Sequence, residues 1–411
     1  MAASAAAVCP QDAAAKAGLA WCDGLVRLKA YPDTNLFYQT APLPTFLAIL
    51  ASLFALAGCG SSGTSVCQGD CCGPVNVACP AGSAHLYATG IDGKVTIFTA
   101  PAGQSLGAPT SVSGPASTFG MAAVGTQFLY VSNPDLTVGG TSSIDAWSIN
   151  LNTGGLSPVL ASPFSLGPST LANGLAINSG SQVLYVADSG KIDAMQTYTT
   201  GALTPVVGSP FPSGTSVFLT VDPGNKFVFA SDEDPPGSIS AFTIGSSGAL
   251  TQVAGSPFAA NPNGSGAQPR QIVVDSTGNF VYTVLLSTNQ VAAFSIVASS
   301  GALTPVPGSP FATGNGPVAL ATVSNFLYVS NVQDGTISGF TIDATTGILS
   351  PISGSPFAFP GGPLTTDYGT YLYTASADGM MTFSIDATTG ALTQVGSAIP
   401  YDGATVLTYV Q

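Results

Sequence analysis

Seven stretches of the chain share one pattern, a short run of apolar and aromatic residues ending in a small or polar turn. They read HLYATG from His85, FLYVSN from Phe128, VLYVAD from Val183, FVFASD from Phe227, FVYTVL from Phe280, FLYVSN from Phe326 and YLYTAS from Tyr371. Aromatic and β-branched residues dominate these runs, which favours strands. Their apolar residues are consecutive rather than alternating, so both faces of each strand are expected to be buried between neighbouring sheets. A second element accompanies the first: GGLSPVLASPF at 154–164, GALTPVVGSPF at 201–211, GALTQVAGSPF at 248–258, GALTPVPGSPF at 301–311 and GILSPISGSPF at 347–357, with a worn copy, GALTQVGSAIP, at 390–400. The Phe residues at 164, 211, 258, 311 and 357 stand 47, 47, 53 and 46 residues apart.

A period in the forties with four strands per unit is the signature of a propeller blade. Within one unit, VALATV (318–323), FLYVSN (326–331), TISGFTID (336–343) and ILSPI (348–352) predict four successive strands, with Gly, Asn and Asp marking the turns. The expected fold is all-β, a seven-bladed β-propeller of four-stranded antiparallel blades over 74–411. An extended β-solenoid is the architectural rival, but its repeats are shorter and need caps. The Ser-Pro-Phe ends belong at the outer edge, where a proline is tolerated and blunts pairing with other molecules. The final segment, ATVLTYV at 404–410, matches the inner strand of a blade that never continues. It is expected to close the ring in blade one, beside VNVAC at 75–79.

Composition agrees with an all-β reading. Only 7% of residues are charged, against roughly a quarter in an ordinary globular chain, while 49 Gly and 31 Pro supply turns. Hydrophobic residues at 45% are too many for a solvated coil. The net charge is −13, and from Cys59 onward the only cations are Lys94, Lys191, Lys226 and Arg270. Nucleic acid binding, which needs clustered Lys and Arg, is therefore excluded, and a phosphorylated substrate is disfavoured.

The mean hydropathy of +0.41 raises the question of membrane spans, but one apolar run alone approaches the length. FLAILASLFALAG at 46–58 has the length of a signal-peptide core and falls short of a spanning helix. It ends in Leu56-Ala57-Gly58-Cys59, which resembles a bacterial lipobox and implies cleavage before Cys59 and acylation of its thiol. Residues 1–58 thus read as an upstream extension and lipoprotein-type signal, with Arg27 and Lys29 placed as a basic leader would be if translation began near Leu25 or Val26. Residues 59–73 form a Cys-rich tether. The expected location is the cell envelope, outer-membrane or periplasm-facing, with secretion as the alternative. Cys67, Cys71, Cys72 and Cys79 are candidates for disulfides, which export permits. Adjacent Cys71 and Cys72 rarely pair, leaving 67–71 with 72–79, or 67–72 with 71–79.

The LYVSN strands, the turns DATTGILS (343–350) and DATTGALT (386–393), and the GSPF ends resemble the seven-bladed lactonase propellers. These are the 6-phosphogluconolactonase-type and carboxymuconate-cyclase-type enzymes, related to YVTN-repeat surface proteins. In that family blade five often carries Pro-Arg-His, then Tyr-Val-Val-Asn-Glu on the next strand. This chain has Pro269-Arg270-Gln271 and Tyr282-Thr283-Val284-Leu285-Leu286. Leucine neither carries a proton nor orients water, so acid–base work at that place is lost. The sole histidine, His85, reads as a buried, hydrogen-bonded residue of blade one or as a catalytic group.

Arg270 opens an inner strand, where propellers face the channel mouth, and is the candidate ligand-binding residue, suited to a carboxylate or carbonyl. Asp232-Glu233-Asp234 sets three carboxylates in one loop, which could hold Ca²⁺ or stand solvated. Asp222, Asp275, Asp343 and Asp386 occupy turns, with Asp188, Asp334 and Asp378 at or after strand ends. No catalytic residue, metal site or cofactor is assigned. The expected function is that of an envelope binding module, monomeric, holding a small molecule, glycan or protein at the channel mouth and the membrane through its lipid anchor. The alternative is a lactone hydrolase.

Overall fold

The computed structural model describes residues 84–411 apart from 101–105, 117, 135–139, 169–170, 265, 377, 402 and 411, together with a separate antiparallel hairpin, Leu19–Cys22 with Leu25–Leu28. The apolar run 46–58, Cys59, the four clustered cysteines and VNVAC lie outside the described residues.

The unit read above as four strands is four strands. Pro317–Val323, Phe326–Asn331, Thr336–Ile342 and Leu349–Pro351 pair antiparallel in that order, with Leu320 opposite Val329 and Val329 opposite Ser338. The other repeats pair likewise, and two of them join into one eight-stranded sheet. Among the described residues seven strands are innermost: β1 (Met121–Val124), β2 (Leu175–Asn178), β3 (Phe211–Val221), β4 (Pro269–Val274), β5 (Pro317–Val323), β6 (Leu364–Thr366) and β7 (Ala404–Val410). The sheets join at β3, whose first half pairs the preceding unit and whose second half pairs Phe227–Asp232. Each innermost strand packs on the next in chain order, and β7 returns to β1. That cycle is the arrangement of a β-propeller. β7 pairs directly with His85–Gly90, His85 opposite Val410, and is the innermost strand of that sheet among the described residues.

The core follows from the double-sided burial of the repeated strand. Among the described residues seven apolar clusters form, each shared by two neighbouring units. Tyr282, Val291 and Phe280 meet Leu327, Val329 and Phe340, for example, and Tyr373 and Met380 meet Leu86, Phe98, Leu407 and Tyr409. The tyrosine hydroxyls crossing these interfaces are not left unpaired. Tyr87, Tyr130, Tyr185, Tyr282 and Tyr328 donate to the carbonyls of Gly154, Gly201, Gly248, Gly347 and Gly390, at 2.6–3.0 Å. Each acceptor is the glycine of a repeated GALT-type turn in the next unit. Gly347, at φ 72°, shows why: a Cβ there would lie 2.4 Å from the Phe280 ring.

The Ser-Pro-Phe element is equally structural. Its peptide is cis in all five intact copies. Each serine hydroxyl accepts a strand N–H that the sheet edge leaves unpaired: Ser162 from Ala146, Ser209 from Ala194, Ser256 from Ala241, Ser309 from Ala293 and Ser355 from Gly339, all at 2.9 Å. The following phenylalanine rejoins the sheet, as Phe311 does opposite Val291.

Candidate ligand site at the channel mouth

Residues at or next to the starts of β1, β2, β4, β5, β6 and β7, with Phe218 and Leu219 from the second half of β3, line a cavity of about 380 Å³. Its walls are largely apolar, with Phe119, Met121, Leu175, Phe218, Leu364 and Val406 among them. Phe119 and Val332, at 37% and 42% exposure, extend this apolar lining outward to solvent. Among the described residues no carboxylate lines the cavity, and Arg270 is the one formally charged residue that does.

Arg270 is not free. Its Nε lies 2.8 Å from Oε1 of Glu233, a residue of the neighbouring unit, in an ion pair, and neither of the two buried atoms has a hydrogen-bonding partner. Burial pushes the Glu233 carboxyl above its usual range, partly offset by the Arg270 charge, while Asp234 adds to the rise. The three acids of that loop are thus separated by their partners. Asp232 is buried and accepts the hydroxyls of Ser216 (2.7 Å), Ser240 (2.7 Å) and Ser238 (2.9 Å). Burial still raises its pKa, with those hydroxyls opposing the rise. Asp234 takes the Thr215 hydroxyl. Among the described residues no group of three His, Cys, Asp or Glu converges as a metal site would require.

The place where the family resemblance would put a proton-transfer pair is apolar. Leu285 is fully buried at the end of its strand, as is Ala292 diagonally across on the next strand. Other units keep a polar pair at the same position: Asn133 with Asp145 (3.0 Å), Asp232 with Ser240, Asn331 with Ser338 (2.9 Å). Gln271, in the place of histidine, accepts the backbone N–H of Leu320 (3.0 Å) and ties β4 to β5.

His85 begins its strand where other units carry Phe128, Phe227, Phe280 and Phe326, and packs on Gly154 as those rings pack on their own glycines. It is buried as expected, but neither ring nitrogen is hydrogen-bonded. The turn acids hold their own backbones: Asp222 accepts from Lys226 and Phe227, Asp275 from Asn279 and Phe280. Asp188 does more. It accepts the N–H groups of Leu171 and Ser189 and, with Asp193, flanks Lys191 at 3.1 and 3.4 Å. This triad of two buried carboxylates and a partly exposed lysine differs from the polar pairs of other units; comparing VLYVAD with FLYVSN, together with the KID that follows, is the signal that could have found it.

No protein-family model and no curated protein matches the sequence. Solved structures do match over four-fifths of the chain. A candidate 6-phosphogluconolactonase from Bacteroides fragilis is 19% identical with a TM-score of 0.66, covering 82% of this chain and 100% of its own. One from Bacteroides uniformis is 16% identical, TM-score 0.66, covering 80% and 100%. The periplasmic gluconolactonase PpgL of Pseudomonas aeruginosa is 16% identical, TM-score 0.64, covering 80% and 99%. The fold is that of the lactonase-type β-propellers. The propeller shares an architecture with these proteins; among the described residues its cavity has a largely apolar wall and one arginine, paired with Glu233, while Leu285 is buried and does not line it.

Proposed function

We propose that the chain is an exported, lipid-anchored, seven-bladed propeller of the cell envelope that binds a small, largely apolar ligand at the mouth of its central channel. The cavity wall carries this reading. A pocket of about 380 Å³ lined by apolar side chains with one orienting cation is built as a binding site, with apolar surface for affinity and a polar group for orientation. Hydrolysis needs a group that moves a proton or activates water, and the described lining residues offer none: no carboxylate or histidine is among them, and the Gln271 amide oxygen accepts the Leu320 N–H. The lipobox-like Leu56-Ala57-Gly58-Cys59 supports the anchor and the envelope location.

The lactone-hydrolase reading is favoured by the fold of the neighbours named above, and one experiment separates the two. The chain from residue 60 onward is assayed against a panel of lactones with and without Ca²⁺ or Mg²⁺, alongside equilibrium binding of apolar probes. The expected result is probe binding that weakens in Arg270→Ala, and no turnover. Turnover abolished by Arg270→Ala would defeat the binding reading.

A further inference from the structure

Arg270 looks at first like an anion receptor in an apolar pocket, and the charge balance argues otherwise. Its Nε is taken by Glu233 at 2.8 Å, and both atoms are shielded from water. A guanidinium has five N–H donors in a fixed fork, so the two terminal nitrogens keep four. The pair as a whole carries no net charge. The other cations of residues 84–411, Lys94, Lys191 and Lys226, do not line the cavity. A carboxylate entering it would bring an uncompensated negative charge into an apolar enclosure of a chain that already carries −13. Leaving a charge so poorly solvated is costly. A neutral carbonyl accepts the same N–H groups without that cost.

Glu233 is also too firmly mounted to be an incidental surface partner. Its neighbours are fixed on either side, Asp232 by three serine hydroxyls and Asp234 by Thr215. Beyond them Gly237, at φ 84°, lies so close to the segment leading into β4 that a Cβ would stand 2.3 Å from the Ala267 carbonyl oxygen. The loop is thereby pressed on 267–269, immediately before Arg270, and this contact between neighbouring units brings the carboxylate to the guanidinium.

We propose that Glu233 sets the charge selectivity of the channel mouth: by neutralising and aiming Arg270 it makes the cavity take neutral apolar molecules with an acceptor oxygen, such as an ester or amide carbonyl, in preference to carboxylates. The inference rests on the reading of the cavity as a ligand site.

The test uses the full chain and two probes of one chain length, methyl octanoate and octanoate, titrated by calorimetry or ligand-observed NMR. Wild type binds the ester more tightly, by about tenfold, the order expected for an added like charge. Glu233→Gln raises octanoate affinity by about tenfold and leaves the ester within about threefold. The double variant Arg270→Met with Glu233→Gln loses that gain, which separates it from a general loosening; thermal melts of all three chains guard against misfolding, and the wild-type ester preference decides the matter if a variant does not fold. Octanoate binding wild type as tightly as the ester, or Glu233→Gln shifting both probes equally, overturns the selectivity while leaving the cavity reading intact. Failure of both probes to bind wild type removes the cavity reading and this inference with it.

Discussion

His85 occupies a phenylalanine position with a polar ring. Its two nitrogens are buried without partners, and burial lowers its pKa. An unpaired buried polar group costs about 1–3 kcal/mol, so His85→Phe is expected to raise stability by about 1 kcal/mol or more. Because the folded pKa lies below the unfolded one, the wild type should also lose stability as pH falls below about 6.5, a loss absent in the variant. Chemical denaturation of both proteins between pH 7 and 5 checks both points. Asp193 has the opposite sign. Burial pushes its carboxyl up to about 6, with Lys191 opposing the rise and Asp188 adding to it. A raised carboxyl favours the fold when protonated, so the wild type should gain on Asp193→Asn as pH falls from about 6 toward about 4, by on the order of 2 kcal/mol. Wild type that loses ground over that window would refute the assignment. At this scale the sequence was only half legible. Arg270 stood out as the lone arginine after the lipobox and does line the cavity. Glu233 read as part of an acidic loop, because a contact between neighbouring units, which pattern along the chain does not carry, makes it Arg270's partner.

The repeated elements were far more legible, because each performs the same packing task in most of the units. Tyr282 and Gly347 are 65 residues apart, yet their hydrogen bond recurs in four other pairs, so the sequence restates both halves five times over. Gly347→Ala must adopt a left-handed conformation, about 1–2 kcal/mol, and place a methyl into a packed phenylalanine, about 1–3 kcal/mol more. A loss near 3 kcal/mol by urea unfolding is expected, and a loss below about 1 kcal/mol would mean that Phe280 yields freely. Ser309→Ala removes the acceptor for the Ala293 N–H inside a buried edge, with an expected loss of about 1–3 kcal/mol. An unchanged midpoint would show that water replaces the hydroxyl. The motif advertised its proline, while the serine that performs the capping was visible only as an invariant companion in the GSPF and ASPF copies.

A ring has a closure point, and here it is one strand. β7 supplies the innermost strand to the unit that begins with His85, from the far end of the chain. Leu407 and Tyr409 sit in one inter-unit cluster and Val410 in the next, so the strand serves two interfaces together. Burying each such side chain is worth roughly 1.5–3 kcal/mol, so three approach the 5–15 kcal/mol that holds a typical domain together. Its removal also strips His85–Gly90 of a ladder partner and opens a sheet edge. A chain ending before Ala404 is therefore expected to lose the single cooperative thermal transition of the intact protein and to self-associate. A synthetic peptide of residues 402–411 should restore the transition in a concentration-dependent way, as any ligand of the folded state does. Circular dichroism melts with sedimentation velocity measure both effects, and a truncated chain that melts as the intact one does would show that the ring is held by its remaining interfaces alone.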